Sequence, residues 1–382
     1  MPLNLRDFRA RDFRSLQSIS YPMADLDIFV GANGVGKTNL YRGLELLQSA
    51  AANTLTRDLV GDGGLDLAIW AGERPRNKPA RIKLGVGLTD TGLNRAGATC
   101  RYDVEVGFPA PTSAAFELEP LIKEETLTYL AGSRPVVLMQ RKGASVMARG
   151  EDGRPVEVDM DIMDSETVLG RLEDPSRYPA LDTVRRTLLQ WRFYHGLRTD
   201  PGSPLRRPCP AVATATLASD GRDLAAVFAT LTHIRQDSVD LDDAIEAAFP
   251  GAQLVVPPPG HTASFGMIFP EFPHRIFDAS ELSDGTLRFL ALMGALLAYR
   301  LPPFMALNEP EASLHPDLMV PLGRMIANAS TRTQVWLVTH SNILAQAASA
   351  GGGNVRHVIK TEGATQIEGL KRWGAFADDE DD

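Results

Sequence analysis

The sequence predicts an α/β fold with a mixed central sheet, an antiparallel β-subdomain and an inserted, mainly helical lobe. Three observations support this fold class. An apolar run, Leu26 to Val30, leads into a glycine-rich turn and a helical pattern, several later runs alternate apolar and polar residues, and the region from Ala279 onward is strongly apolar. Alternation with period two is typical of strands with one solvated face, whereas elements that are apolar all round are typical of a buried parallel sheet. We therefore expect both kinds of sheet in one chain.

The N-terminal half is expected to hold most of the strands. Residues Leu3 to Val30 contain short apolar stretches that predict strands leading into the glycine-rich turn, and Lys37 to Gln48 predicts the helix that follows. The alternating runs, separated by glycine and proline, predict an antiparallel meander packed on the edge of this domain. They are Ala80 to Leu88, Thr99 to Phe108, Ala114 to Ile122, Pro135 to Lys142 and Pro155 to Met163.

The second half predicts helices and then a buried core. Leu181 to Leu197 is typical of a helix that runs into a strand, and residues 217–237 and 241–251 predict two amphipathic helices. No sustained heptads occur, so no coiled coil is expected. The C-terminal elements are expected to be a helix over Thr286 to Tyr299, a strand over Phe304 to Leu307, a helix interrupted by Pro321, a strand over Gln334 to Thr339 and a hairpin over Asn354 to Lys360 and Thr365 to Lys371.

These elements predict four parts of the chain. Residues 1–165 are expected to form an N-terminal lobe with the meander, residues 166–275 an inserted helical lid subdomain, residues 276–375 a C-terminal lobe and residues 376–382 an acidic tail. The tail closes with the acidic run Asp378 to Asp382, which we expect to be solvated and disordered.

Composition and charge limit the classes of protein that this chain can be. Its 382 residues leave room for two or three lobes. No apolar stretch approaches the roughly 20 residues of a membrane span, and the first residues lack the apolar core of a secretory signal, so we expect a cytoplasmic protein with no membrane partner. Cys100 and Cys209 lie far apart and form no CxxC pair, which argues against a disulfide framework or a zinc site.

A net charge of −9 argues against a surface that coats nucleic acid indiscriminately. DNA contact would need a local basic patch, and one stretch combines cations with the aromatic residues that stack on bases. The alternative is that these aromatic side chains are core and that the arginines solvate a face. The arginines are Arg185, Arg186, Arg192, Arg198, Arg206 and Arg207, and the aromatic residues are Trp191, Phe193 and Tyr194.

The glycine-rich turn, GANGVGKT over Gly31 to Thr38, carries the strongest chemical signal. Its glycines allow backbone N–H groups to converge on phosphate oxygens, Lys37 supplies a mobile positive charge, and the Thr38 hydroxyl is placed to hold Mg²⁺. The alternative is a glycine turn that caps an ordinary helix. The strand before the turn and the helix after it favour a nucleoside-triphosphate site. Its expected nucleotide-binding residues are Gly31, Asn33, Gly34, Gly36, Lys37, Thr38 and Asn39.

A second half of this site is predicted where an apolar strand ends in Asn308 and Glu309. A carboxylate at such a strand end can orient and deprotonate an attacking water, so Glu309 is the expected general base. The alternative is a glutamate that caps the next turn. Asn308 stands where an aspartate is usual; its amide keeps an oxygen for Mg²⁺ and loses the charge, so we expect slow turnover. Thr38 and Asn308 are thus the expected metal residues.

Two further elements are candidates for contact with phosphate. Ser283 and Gly285 precede a buried helix, where hydroxyl, backbone amide and helix dipole favour an anion; a simple helix N-cap is an equal alternative. His340 and Ser341 end another core strand. A lone histidine there is usually structural, and His340 becomes a site candidate because three other phosphate-facing elements occur in the chain.

The order of these motifs carries a resemblance. GANGVGKT, ELSDGT, LNEPEASLHP and VTHS resemble the Walker A, signature, Walker B with D-loop, and switch histidine of the RecF/SMC class of ABC-type P-loop ATPases, in particular compact bacterial AAA-family, RecF-like proteins. The resemblance implies an ABC-type head with ATP and Mg²⁺ as cofactors. It implies that Lys37, Glu309 and His340 serve catalysis, with His340 sensing the γ-phosphate. It also implies an ATP-dependent homodimer in which Ser283 and Gly285 reach the nucleotide of the partner.

The resemblance leaves the biological role open between two classes of function. One is an ATP-gated dimer coupled to DNA binding or DNA repair. The other is an ATP-dependent regulatory switch for a protein effector, as in phage defence, which the negative charge favours. A nuclease of the overcoming-lysogenization type is disfavoured because only the acidic tail follows Lys371, and Asp159 and Asp161 are better explained as a solvated strand face. The position of a Q-loop glutamine is not predicted.

Overall fold

The computed structural model describes residues 3–73, 79–89, 99–110, 116–131, 134–150, 153–235, 239–371 and 374–376. The chain forms two compact units. The first comprises Met1–Ala24, Gly31–Trp191 and His357–Asp382, and the second comprises Asp25–Val30 and Arg192–Arg356. The four-part division expected from the sequence stays a prediction, and the acidic run Asp378 to Asp382 lies outside the described residues.

The strands are numbered along the chain. They are β1 (Asn4–Phe13), β2 (Leu16–Pro22), β3 (Leu26–Val30), β4 (Arg81–Thr89), β5 (Thr99–Gly107), β6 (Leu121–Ala131), β7 (Arg134–Lys142), β8 (Ser145–Arg149), β9 (Pro155–Glu157), β10 (Arg192–Tyr194), β11 (Cys209–Pro210), β12 (Gln253–Val255), β13 (Thr262–Ala263), β14 (Gly266–Ile268), β15 (Phe277–Asp278), β16 (Phe304–Asn308), β17 (Gln334–Thr339), β18 (Asn354–Thr361) and β19 (Ala364–Ile367).

The α-helices follow the same convention. They are α1 (Lys37–Ala51), α2 (Leu55–Gly61), α3 (Leu65–Ala68), α4 (Val168–Arg171), α5 (Pro179–Gln190), α6 (Leu224–Ala229), α7 (Val239–Ala248), α8 (Asp284–Leu297), α9 (Met319–Ser330) and α10 (Asn342–Ser349). A π-helical turn, Thr230–Arg235, continues α6, and 3₁₀ turns occupy Pro204–Arg206 and Pro316–Leu318. No described helix is long and apolar enough to cross a bilayer.

The first unit is built on one large antiparallel sheet in the order β2-β1-β4-β5-β6-β7-β8-β9. From β4 onward each strand pairs with the next in sequence, which is the predicted meander. Helix α1 packs on β1 and β4 and against α2, α4 and α5. Gly43 permits this packing, because a Cβ there would lie 2.6 Å from the ring of Phe8. The helix that begins at the glycine-rich turn is therefore anchored on the sheet.

The second unit holds a parallel sheet in which β10, β16, β17 and β3 are neighbours. All five residues of β3 and all six of β17 are buried, and the rings of Phe29 and Trp336 stack with centroids 4.0 Å apart. Helix α8 is buried on nearly every side. These features confirm the expectation that apolar elements after Ala279 form a buried parallel core.

Three local predictions are wrong. Of the strand expected over Ala114 to Ile122, the first two residues lie outside the described residues, residues 116–120 form no strand, and the strand begins at Leu121 and continues to Ala131. The strand expected to reach Met163 ends at Glu157, because β9 pairs with β8 through three residues only, and Asp159 and Asp161 follow it as exposed residues. Pro321 does not interrupt a helix: it lies in the first turn of α9, where its missing N–H would have no partner in any case.

Candidate functional site

Three parallel strands of the second unit end side by side. Val30 at the end of β3 pairs in register with Thr339 of β17, and Asn308 of β16 pairs with Val338. The carboxyl edge of such a sheet is where open α/β folds bind ligands. Gly31, Glu309 and His340 are the residues that directly follow these strand ends in the chain. The strand register therefore supports the sequence-based choice of these positions.

The glycine-rich turn has the backbone that its glycines permit. Gly34 and Gly36 have φ angles of 78° and 101°, which side chains with a Cβ rarely adopt. A Cβ on Gly31 would lie 2.5 Å from the carbonyl oxygen of Val358, and one on Gly36 would collide with Thr365 Oγ1. A side chain at any of these three positions would thus clash with a neighbouring residue or strain the backbone.

Lys37 and the start of α1 have the features of an anion site. The Lys37 side chain is buried, and its Nζ donates to the carbonyl oxygens of Gly31 at 2.6 Å and Ala32 at 2.9 Å. Helix α1 has no side-chain cap and no acidic residue in its first turn, so the first N–H groups and the helix dipole are left for an anion. Thr38 and Asn33 are exposed.

Two hydroxyls brace the turn from distant parts of the chain. Thr365 Oγ1 donates to the carbonyl oxygen of Val35 at 2.7 Å and lies 2.6 Å from Ser15 Oγ. Asn39 Nδ2 donates to the same Ser15 Oγ at 2.7 Å, so this predicted nucleotide residue also supports the turn. Sequence reasoning missed Ser15 and Thr365, because no local motif surrounds either residue.

The end of β16 is held in a strained turn. Glu309 has a φ angle of 48° and Ser313 one of 65°, a region that residues other than glycine enter at a cost. The Glu309 N–H donates to the carbonyl oxygen of Val338 at 2.8 Å. Arg288 of α8 reaches the carbonyl oxygens of Pro310 at 3.3 Å and Glu309 at 3.4 Å. Burial lowers the pKa of Arg288, although the charge of Glu311 acts in the opposite direction.

Asn308 and Thr38 are the predicted metal residues, and both offer oxygen atoms. Asn308 Oδ1 is buried and has no hydrogen-bond partner within the described parts of the chain. Buried polar atoms are rarely left alone in proteins, and Mg²⁺ with its water shell prefers oxygen ligands. The side-chain oxygens of Asn308 and Thr38 are thus each of the chemical type that Mg²⁺ binds.

Ser283 is the N-cap of α8, with its Oγ accepting from the Thr286 N–H at 3.1 Å. The interpretation of Ser283 as the N-cap of a helix is thus confirmed. The residue is exposed, so its hydroxyl lies at the surface at the start of α8. A Cβ on Gly285 would lie 2.9 Å from the carbonyl oxygen of Ser313, so glycine lets this turn approach the one after Glu309.

Arg206 supports the same turn. Its guanidinium donates to the carbonyl oxygens of Ser280 at 3.0 Å and Leu282 at 2.8 Å and to Asp284 Oδ1 at 2.6 Å. A DNA-binding patch would need the Arg206 guanidinium to be available to phosphate groups. Instead, the guanidinium is bound to the start of α8. Arg206 is therefore a structural residue of this turn.

The predicted aromatic platform for bases does not exist. Trp191, Phe193 and Tyr194 are 1%, 3% and 1% exposed, so their rings are part of the core and cannot stack on a base. Several of the arginines are paired with carboxylates, as the alternative interpretation expected. The pairs are Arg185 with Glu173, Arg186 with Asp182 and Arg198 with Asp200.

His340 follows β17 and is half exposed, with 50% of its side chain accessible. Its Nδ1 lies 3.2 Å from Oε1 of Glu311, a buried carboxylate that sequence reasoning did not single out. The only signal in the sequence is a second acidic residue two positions after Glu309. The structure thus links His340 to the turn that carries the predicted base.

Comparisons with known proteins bear on the family and the fold. Residues 225–345, which run from α6 into α10, match the family model described as "AAA domain, putative AbiEii toxin, Type IV TA system". No curated protein matches the chain.

Two solved structures are similar over nearly the whole chain. One is an SMC head bound to the C-terminal winged-helix domain of ScpA, with 14% identity, a TM-score of 0.53, and coverage of 95% of this chain and 97% of that chain. The other is an SMC head with an extended coiled coil bound to the C-terminal domain of ScpA, derived from Pyrococcus furiosus, with 13% identity, a TM-score of 0.51, and coverage of 96% of each chain. The chain has the fold of an ABC-type, SMC-like P-loop ATPase head.

Proposed function

We propose that this chain binds ATP with Mg²⁺ and hydrolyses it slowly, and that ATP binding closes a homodimer of RecF-like heads. The observation that carries the proposal is the register of β3, β16 and β17, whose ends lead directly into Gly31, Glu309 and His340. The uncapped start of α1 and the left-handed glycines of the turn support it.

In this proposal each residue has one task. The N–H groups that follow Gly34 and Gly36 and the Lys37 ammonium hold the phosphate oxygens. Glu309 orients a water and takes its proton as the water oxygen attacks the γ-phosphorus and the bond to the bridging oxygen breaks. His340 contacts the γ-phosphate. Bound Mg²⁺ would neutralise charge on the phosphates, next to Thr38 and Asn308.

Ser283 and Gly285 are proposed to complete the nucleotide site of a second copy. Ser283 is exposed at the start of α8, and a hydroxyl beside a helix N-terminus suits the γ-phosphate of a nucleotide held elsewhere. The Asn308 amide in place of a carboxylate supports slow turnover. A slow enzyme of this design spends most of its cycle in the closed, ATP-bound dimer.

The ATPase proposal is tested by replacing Lys37. Lys37→Ala should abolish phosphate release and weaken ATP binding, because the loop loses the cation that faces the phosphates. Lys83→Ala, on an ion-paired lysine of the antiparallel sheet, is the matched control and should behave as wild type. Undiminished phosphate release from Lys37→Ala protein would remove the site assignment.

DNA and a protein effector are the two candidate outputs of this switch. The matched family model is named for a toxin of a toxin–antitoxin system, the net charge is −9, and the aromatic residues proposed for base stacking are buried. These observations favour the protein effector. Both candidate functions include a cytoplasmic location for the protein.

The two outputs are separated by binding measurements with the trapped dimer. Glu309→Gln protein should be tested with ATP for binding to single- and double-stranded DNA at two salt concentrations. An affinity that falls linearly with the logarithm of salt concentration supports the DNA output. If no DNA is bound while a specific protein binds only with ATP, the effector output is supported instead.

A further inference from the structure

Glu311 has an unusual set of contacts for a residue in a turn. The residue is buried, with 7% of its surface exposed. One oxygen, Oε1, accepts from the backbone N–H groups of His340 at 2.8 Å and Ser341 at 3.3 Å and from the Thr339 hydroxyl. The same oxygen lies 3.2 Å from Nδ1 of His340. A single carboxylate oxygen thus touches every residue of the turn after β17.

The contacts join two turns that the proposed mechanism uses separately. Glu311 belongs to the strained turn after Glu309, and Arg288 holds that turn through the carbonyl oxygens of Glu309 and Pro310. The other end of the link is the start of α10, where Ser341 is the N-cap. A negative charge at a helix start is stabilising. The carboxylate therefore fixes the position of His340 relative to the turn of the proposed base.

Hydrogen bonds to the backbone alone do not account for a carboxylate at this position. Glu311 Oε2 is buried and has no hydrogen-bond partner within the described residues. Leaving a buried charged oxygen unpaired is costly, and a glutamine would place a buried NH₂ group at one of the two oxygen positions, so burial alone does not favour either residue. The negative charge acts on three groups, the start of α10, the Arg288 guanidinium and the His340 imidazole, and of these the imidazole has two nitrogens between which a proton can be placed.

We propose that Glu311 is a positioning residue that holds the His340 proton on Nδ1 and so leaves Nε2 as the free nitrogen that meets the γ-phosphate or its water. The nitrogen of a neutral imidazole that carries the proton is set by the partner of the ring. A carboxylate oxygen at 3.2 Å from Nδ1 favours the proton there. The role of the freed Nε2 rests on the proposed ATPase function, whereas the tautomer itself does not.

The tautomer is measured directly in the intact chain. The 7 histidines can be labelled with ¹⁵N and the His340 ring identified by the signal that a His340→Gln variant lacks. In the wild type, measured where the ring is neutral, Nδ1 should be protonated and Nε2 unprotonated. In Glu311→Gln the amide keeps an acceptor for the backbone N–H groups and loses the charge, so the tautomer ratio should shift toward Nε2–H.

Kinetic measurements distinguish a positioning role of Glu311 from a role in folding alone. Glu311→Gln and Glu311→Ala should lower kcat by roughly 10- to 100-fold, the usual range for groups that orient another residue, while ATP affinity stays unchanged. Glu246→Gln, at an exposed glutamate of α7, is the control and should change neither readout. If Glu311→Ala fails to fold, the kcat and the ATP affinity of Glu311→Gln alone test the proposal.

The outcomes distinguish this inference from the proposed function. An unchanged His340 tautomer in a folded Glu311→Gln protein overturns the inference, even if ATP is hydrolysed. Unchanged kcat in both variants overturns it as well. If the wild type binds no ATP, the proposed function fails, and the tautomer measurement still shows whether Glu311 sets the ring.

Discussion

At the scale of single residues, the sequence is most informative where chemistry imposes a motif. Residue type and spacing single out the glycines of the turn, Lys37, Glu309 and His340, because phosphate binding requires a particular backbone and particular charges, and their roles stay predictions. Glu311 and Arg288 were missed. Their role depends on which backbone groups they reach, and such contacts leave no pattern along the chain.

Asn308→Asp is the first prediction. The added carboxylate should tighten Mg²⁺ binding roughly tenfold, because ligand charge is a main determinant of affinity for divalent cations, and should raise the rate of ATP hydrolysis. A Mg²⁺ titration of ATPase activity measures both. Asn328→Asp makes the same chemical change at an exposed position of α9 and should have no effect. If Asn308→Asp also has none, the amide plays no part in metal binding.

Glu125 predicts a pH dependence of stability. It is fully buried on β6 and accepts from Tyr102 Oη at 3.0 Å and from the N–H groups of Val168 at 2.7 Å and Leu169 at 2.9 Å. Burial raises its pKa, although these hydrogen bonds oppose the shift. Between the usual glutamate pKa and the raised one, the folded state binds more protons than the unfolded state, so stability falls as pH rises.

Glu125→Gln should therefore reduce the fall in unfolding free energy as pH rises from about 4.5, the ordinary pKa of the group, toward neutrality. Urea unfolding at a series of pH values measures that slope. Glu124→Gln, at the neighbouring and partly exposed residue of β6, should leave it unchanged. An identical slope in the wild type and Glu125→Gln would show that another group carries the pH dependence.

At the scale of elements, periodicity predicts most of the fold and fails where the pattern is broken physically. Strands such as β4 and β5 alternate cleanly and were placed within a few residues. Strand β6 was placed too early for two reasons. A register shift lies opposite Glu105 and Val106, which disturbs the alternation, and an inward position is filled by Glu125, which a hydrophobic pattern treats as solvent-facing.

The glycine-rich turn is also an element whose support lies outside its own sequence. Thr365→Val removes the hydroxyl that bonds Val35 and contacts Ser15 without changing the size of the side chain much. A lost hydrogen bond of this kind is worth about 1 kcal/mol, so ATP should bind roughly fivefold more weakly. Fluorescent-nucleotide titration measures the affinity. Thr361→Val, at an exposed position of β18, is the control; equal affinities for the two variants would rule out the brace.

At the scale of the whole molecule, the order of the motifs predicts the fold better than any one motif does. The Ser283 turn, the strand that ends just before Glu309, and His340 all fall within residues 225–345, the part that the family model matches. No comparable series of motifs predicts whether the proposed switch acts on DNA or on a protein effector. A surface that binds either partner needs only suitable exposed charges and apolar groups. The burial of Trp191, Phe193 and Tyr194 shows how such a surface prediction fails.

The proposed homodimer gives the last prediction. Glu309→Gln should accumulate as a dimer with ATP and Mg²⁺, because the nucleotide is retained between the Walker A turn of one copy and the Ser283 turn of the other. Small-angle scattering with and without ATP measures the change in mass. Adding Ser283→Arg, at an exposed position, removes the N-cap of α8 at a cost of about 1 kcal/mol, and should keep ATP binding and prevent association. Monomers at saturating ATP and Mg²⁺ in the Glu309→Gln protein would contradict the dimer, because hydrolysis could not then explain the missing partner.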